Sequence, residues 1–201
     1  MPKRVDHHER RQQVADSLLR VAARQGLEAV SLRHVAEEAG VTAGMVQHYF
    51  PSKEAMMHFA MATASERYER RMRARIAELG SEPAPNEVIR AALISFVPCD
   101  ESERDEARVA LAFQSYASTR PTVAAELAAQ NAQLSEFLAA QILLARRDDT
   151  VDPATTATAL LATAEGLAVR VLSAKLPHEA ALDALTYQIT LTLDTPPDPD
   201  A

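Results

Sequence analysis

Residues 31–53, SLRHVAEEAGVTAGMVQHYFPSK, constrain the fold of this chain more than any other stretch. Ser31 can accept a hydrogen bond from an unpaired amide of an opening helical turn, and Leu32, Val35, Ala36 and Ala39 follow at the spacing of one helix face. Gly40 stops that helix, because only glycine enters the left-handed conformation past a helix end without steric cost. Thr42 caps a second, shorter helix over 43–49, which Pro51 ends by driving the residue before it out of the helical region. Ser52 caps a third, long helix.

A helix, a tight turn with Gly and a short second helix make a helix-turn-helix, whose second helix enters the DNA major groove. On a wheel of about 3.6 residues per turn, Ala43, Gly44, Gln47 and His48 share one arc and Met45, Val46 and Tyr49 the other. The first arc is small and polar. Small residues let a helix backbone approach base pairs, and Gln suits a bidentate contact with adenine. Gln47 and His48 are therefore the expected base readers. Thr42 and the amides at the helix start suit a phosphate, as does the point charge of Lys53.

Charge distribution agrees with a nucleic-acid partner although the net charge is -7. Residues 1–75 hold 13 Lys and Arg against 9 Asp and Glu, leaving 8 against 19 for the rest. Five of six histidines, His7, His8, His34, His48 and His58, also lie in the basic part. The run Arg67, Arg70, Arg71, Arg73 and Arg75 reads as a solvated helix face with ion pairs. At 47% hydrophobic and 24% charged residues the chain has a globular composition, and strand-like alternation is hard to find, so an all-α fold is expected. A single cysteine, Cys99, rules out an intramolecular disulfide, fits a reducing compartment and is expected at a buried or boundary position. No segment approaches a membrane span and the N-terminus lacks an apolar signal core, so a cytoplasmic protein is expected. His7 and His8 are adjacent rather than spaced as ligands; no metal and no cofactor are expected.

The run RRQQVADSLLRVAARQGLEAVSLRHVAEEAGVTAGMVQHYFPSKEAM, with a helix closed by Gly26, the SLRHVAEEAGV core and the ending Tyr49, Phe50, Lys53, resembles the N-terminal domain of the TetR family of transcriptional regulators. The HYF form is similar to the BetI-like branch. The resemblance implies that Arg33, Thr42, Ala43, Gly44, Gln47, His48, Tyr49 and Lys53 face DNA. Many relatives carry Tyr where this chain has Gln47.

Nine or so helices are expected in all. Residues 1–8 form a flexible basic arm with Lys3 and Arg4, and 9–25 a helix turning Val14, Leu18, Leu19, Val21 and Ala22 inward. A long helix runs from Lys53 to about Leu79, and 80–85 is a linker. Asn86 caps a helix that Pro98 ends; helices over 101–121 and 123–147 follow. DEARVALAF, the Ala/Leu-rich helix and DPATTATALLATAEGLAV resemble the BetI-like C-terminal domain. Pro153 opens a helix to Lys175, Pro177 and His178 open the last, and 195–201 is a disordered tail. The expected division is a helix-turn-helix DNA-binding domain over 1–52 and an effector-binding, dimerising domain over 53–194.

In the TetR family the body binds a small effector in a cavity, for which Phe59, Thr63, Phe96, Phe113, Tyr116, Gln133, Phe137 and Glu165 are the candidates. Broad apolar stripes on the last two helices offer Leu160, Leu161, Ala164, Leu167, Ala168, Val171, Leu182, Leu185 and Ile189 to a four-helix dimer interface. The expectation is a homodimeric, ligand-responsive regulator, most simply a repressor, on a palindromic double-stranded operator. A helical protein-partner or ligand-sensing module with secondary DNA binding is the alternative. No nucleophile, phosphate loop or metal motif supports an enzyme.

Overall fold

The computed structural model describes residues 7–146 and 152–193. Among them lie nine α-helices and one short 3-10 turn: α1 His7–Gln25, the turn Leu27–Ala29, α2 Leu32–Ala39, α3 Ala43–Tyr49, α4 Lys53–Ala77, α5 Pro85–Ile94, α6 Glu101–Ala117, α7 Pro121–Ala145, α8 Pro153–Ser173 and α9 His178–Leu193. Lys3, Arg4, the rest of residues 1–6, the end expected for α7 at Arg147 and the tail 195–201 lie outside the described residues. His7 and His8, assigned to the arm, open α1 instead.

Local chemistry sets the boundaries. Ser31 accepts the His34 amide at 3.2 Å, Thr42 the Met45 amide at 3.2 Å and Ser52 the Ala55 amide at 3.1 Å. Gly40 follows α2 at φ 66°, in the left-handed region. At α5 the expected cap is displaced. Ala84 is the N-cap and Pro85 takes the first helical position, where its missing N–H is no loss. The Glu87 carboxylate reaches back to the Ala84 amide at 3.0 Å, and Asn86 only accepts from its neighbour Glu87. Pro121 likewise opens α7 rather than closing α6, which stops at Ala117.

Two compact units emerge. The first takes in the described residues up to Arg67 together with Arg108–Ala125, the second Tyr68–Ala107 and those from Glu126 onward. In the first, Val14, Leu18, Leu19, Val21 and Ala22 of α1 are buried with Val35, Ala36, Val46, Phe50 and Met56. Arg67 reaches Asp16 at 2.6 Å, and Arg20 and Arg24 share Glu38 at 2.6 Å. The Arg20 hydrogen bond foremost, with Arg24 adding to it, holds the Glu38 carboxyl below its usual range against an opposing effect of desolvation.

In the second unit Ile89 and Leu93 of α5, Leu138 and Ile142 of α7, and Leu160, Ala164, Leu185 and Ile189 of α8 and α9 form one core. Arg75 pairs with Glu103 at 2.6 Å, and Arg71 with Glu106 and, at 3.7 Å, Glu103. The arginine run is thus largely ion-paired; Arg73 joins Glu69 at the surface.

Candidate functional site

The short helix α3 is anchored by its ends and by one side. Val46 and the following Phe50 are fully buried, so opposite positions on a 100° wheel must face out. Ala43, Gly44, Gln47 and His48 do so, and Tyr49 is half-buried, edge-on to the rings of His48 and His7 at 5.2 and 4.7 Å. Met45, expected on the apolar side, is 39% exposed. Seven residues fastened through Val46 leave the flanking position on the rim.

Gly44 is informative by what surrounds it. A Cβ built there would meet only the Thr42 hydroxyl oxygen, at 4.0 Å. No neighbour within the described residues would be crowded by a side chain at this exposed position. Arg33 is exposed and pairs with Glu37 at 3.0 Å, one turn along α2. Lys53 is the first residue of α4 and half-buried. The outward surface therefore presents small residues, one amide, one imidazole and two cations.

The effector candidates are divided between the two units. Phe59 and Thr63 belong to the first unit, where Thr63 is buried on α4 and Phe59 lies beneath the guanidinium of Arg11. Phe113 and Tyr116, also of the first unit, line a cavity of about 220 Å³ with Met57 and Met61 of α4 and Val123 of α7. Its remaining wall is charged or polar and includes Glu54, His58 and Arg120. In the second unit, Phe96 stacks obliquely on Tyr68 at 4.8 Å, while the Tyr68 hydroxyl donates to the Ala92 carbonyl at 3.3 Å. Burial pushes the Tyr68 hydroxyl far above its usual value. Glu165 is half-buried near Tyr68, and desolvation raises its carboxyl. Phe137 packs partly buried against the second core. Gln133 is exposed, so it is no buried polar group awaiting a ligand.

Most of the expected dimer contacts are occupied within the chain. Leu160, Ala164, Ala168, Val171, Leu185 and Ile189 are buried in the second unit itself, and Leu161, Leu167 and Leu182 are half-buried there. Their stripes close on each other and on α5, with Leu138 and Ile142 of α7 in the same core, which sequence spacing did not reveal. Tyr187 and Leu191 of α9 are instead 66% and 46% exposed. Cys99 is exposed rather than buried, and partial desolvation together with Glu103 pushes its thiol up, away from the reactive thiolate. Among the described residues no group of three His, Cys, Asp or Glu could hold a metal ion, and no helix is long and apolar enough to cross a membrane.

Two family models match: bacterial regulatory proteins of the tetR family over residues 16–58, and the C-terminal domain of BetI-type transcriptional repressors over residues 85–194. Among curated relatives, the HTH-type transcriptional regulator PksA of Bacillus subtilis is 35% identical over 118 residues, 58% of this chain and 56% of PksA. The repressor KstR of Rhodococcus jostii is 43% identical over 63 residues, 31% of this chain and 30% of KstR. The matched stretches thus span about half or less of these relatives. A crystal structure of a transcriptional regulator from Rhodococcus sp. Rha1 aligns over 92% of this chain and 96% of its own, with a TM-score of 0.82 and 34% identity. The family and these relatives are transcriptional regulators, not enzymes. The buried Val46, the outward small-residue arc and the second helical body are the features of such a regulator, and the chain belongs to the TetR family, with a C-terminal domain of the BetI type.

Proposed function

We propose that this regulator is a repressor that binds a palindromic operator as a homodimer and is released by a small effector. The observation that carries the reading is the division of α3, with Val46 buried and Ala43, Gly44, Gln47 and His48 outward. Gln47 and His48 read base edges; Arg33, Thr42, Tyr49 and Lys53 fix the helix on phosphates; Ala43 and Gly44 allow the close approach. The DNA-reading part is 1–52 and the effector-binding and dimerising part 53–194. Such a protein works in the cytoplasm, where the DNA is.

Two copies related by a two-fold axis would contact half-sites about 34 to 36 Å apart, or a multiple of that spacing. For the pairing, the outward faces of α8 and α9, with the exposed Tyr187 and Leu191, are favoured over the buried stripes. Release requires an effector that binds the free and DNA-bound conformations with different affinity.

The test is fluorescence anisotropy with fragments flanking the protein's own gene, over a range of salt. A specific complex tighter than random DNA, with affinity falling linearly in log salt, is the expected result. Equal binding to operator-bearing and random fragments at every salt concentration would overturn the reading.

A further inference from the structure

We propose that the cavity of the first unit binds a small organic monocarboxylate, its hydrocarbon part against Met57, Met61 and Phe113 and its carboxylate on Arg120. This names the chemistry of the effector and rests on the ligand-responsive reading above for its regulatory meaning; the binding itself can be measured without DNA.

One wall of the cavity is apolar and soft, and the facing wall is polar. Met57, Met61 and Phe113 are buried, and methionine side chains adapt to ring or chain alike. A volume of about 220 Å³ is small for a ligand pocket. It is enough for a compact acid the size of benzoate or hexanoate.

Arg120 is held as a reader of such an acid. Its guanidinium carbon lies 3.7 Å from the Tyr116 ring centroid, and Nη1 donates to the Tyr116 carbonyl at 3.1 Å and to the Thr119 hydroxyl at 3.0 Å. Ring and hydrogen bonds fix the plane of the fork. Nε and Nη2 make no hydrogen bond to another described residue, and a guanidinium edge matches the two oxygens of a carboxylate.

Glu54 lines the same cavity and would oppose an anion. Its own backbone amide first, then the Ser52 hydroxyl, hold its carboxyl below the usual range, so Glu54 stays ionised and Arg120 has to outweigh it. His58, one turn on, adds an imidazole to the same wall. Regulation follows from connectivity, because Met57 and Met61 lie one and two turns along the helix that Lys53 begins.

Calorimetry of the full chain with benzoate and hexanoate, against benzylamine and benzyl alcohol, tests the proposal. Saturable binding of the acids at millimolar concentration and none of the amine or alcohol is expected. Arg120→Gln should weaken benzoate about tenfold or more, the loss of a charge-assisted hydrogen-bonded pair, with Arg120→Lys between. Val123→Phe should fill the cavity and abolish binding. Because any of these variants could unfold, the wild-type protein labelled at its methionine methyls supplies a second readout, in which benzoate shifts Met57 and Met61. Absence of both heat and shifts overturns the proposal. So does an unchanged affinity in folded Arg120→Gln, or benzylamine binding that Glu54→Gln removes. Operator binding is measured separately without ligand, so its failure would sink the regulator reading while leaving the calorimetry intact, and the reverse.

Discussion

The guanidinium of Arg11 lies over the ring of Phe59, 4.4 Å from carbon to centroid, and reaches the ring of Phe50 at 5.1 Å. Phe50 closes α3 and Phe59 belongs to α4, so one cation from α1 holds the junction between these two helices. The Nε of Arg11 is buried with no hydrogen-bond partner, which leaves the rings as its main attachment. Arg11→Met is expected to destabilise the protein by about 1 to 2 kcal/mol, the range of a partly desolvated cation–π contact. Arg11→Lys should recover only part, since an ammonium lacks the planar face. Urea unfolding of Arg11→Met, Phe59→Leu and the double variant measures the coupling; strict additivity would remove the contact from the explanation.

Gly44→Ala separates folding from reading. A helical glycine costs up to about 1 kcal/mol relative to alanine, and the added methyl meets only the Thr42 oxygen at 4.0 Å. The variant should melt at an equal or higher temperature and bind operator more weakly. Stronger operator binding in anisotropy titrations would show that no close approach occurs at this position.

Gln47 and Lys53 should fail differently. Gln47→Ala is expected to lose about 1 to 3 kcal/mol on the operator and to relax preference at one base pair, whereas Lys53→Ala weakens all sequences alike and lowers the salt slope by about 1. Titrations on operator and scrambled DNA distinguish them; equal losses on both for Gln47→Ala would remove it from the base readers.

Glu165 gives the second unit a pH dependence. Burial raises its carboxyl in the folded state, so the folded protein holds the proton more tightly than the unfolded chain. Below the ordinary value of 4.5 both states are protonated and no penalty exists; stability is lost as pH climbs from there through the folded value. Glu165→Gln should therefore gain on the wild type with rising pH, as followed by thermal melts from pH 4 to 7. A constant difference across that range would mean that burial does not perturb this carboxyl.

Neighbouring positions on α9 should behave as opposites. Leu185 is fully buried, so Leu185→Asp places an unpaired charge in the core and should prevent folding. Tyr187 is 66% exposed, and Tyr187→Asp should leave a folded chain that elutes as a monomer in light-scattering chromatography and loses operator affinity. A dimeric Tyr187→Asp protein would shift the pairing surface elsewhere.

The helix-turn-helix could be read from the chain because its punctuation is local: Ser31, Gly40, Thr42 and Ser52 act on amides or dihedrals within a few residues. Asn86 misled because Pro85, beside it, claims the first helical position. Apolar stripes report how much of a helix is covered but not by what, so Leu160 and Leu185 seemed available to a partner while α8, α9 and α5 cover one another. The same limit hid Arg120, whose place depends on α6 returning beside α4. Phe113 and Tyr116 were found as aromatics at helical spacing; the methionines opposite them carried no separate signal.

The seven residues of α3 keep their structural duties on Val46, with Phe50 just beyond, and their outward duties on four other positions. Selection can therefore exchange the letters of the outward arc without disturbing the scaffold. In a genetic screen, lesions at Gly44 or Gln47 would appear as loss of repression with normal protein levels, and lesions at Val46 as loss of the protein itself.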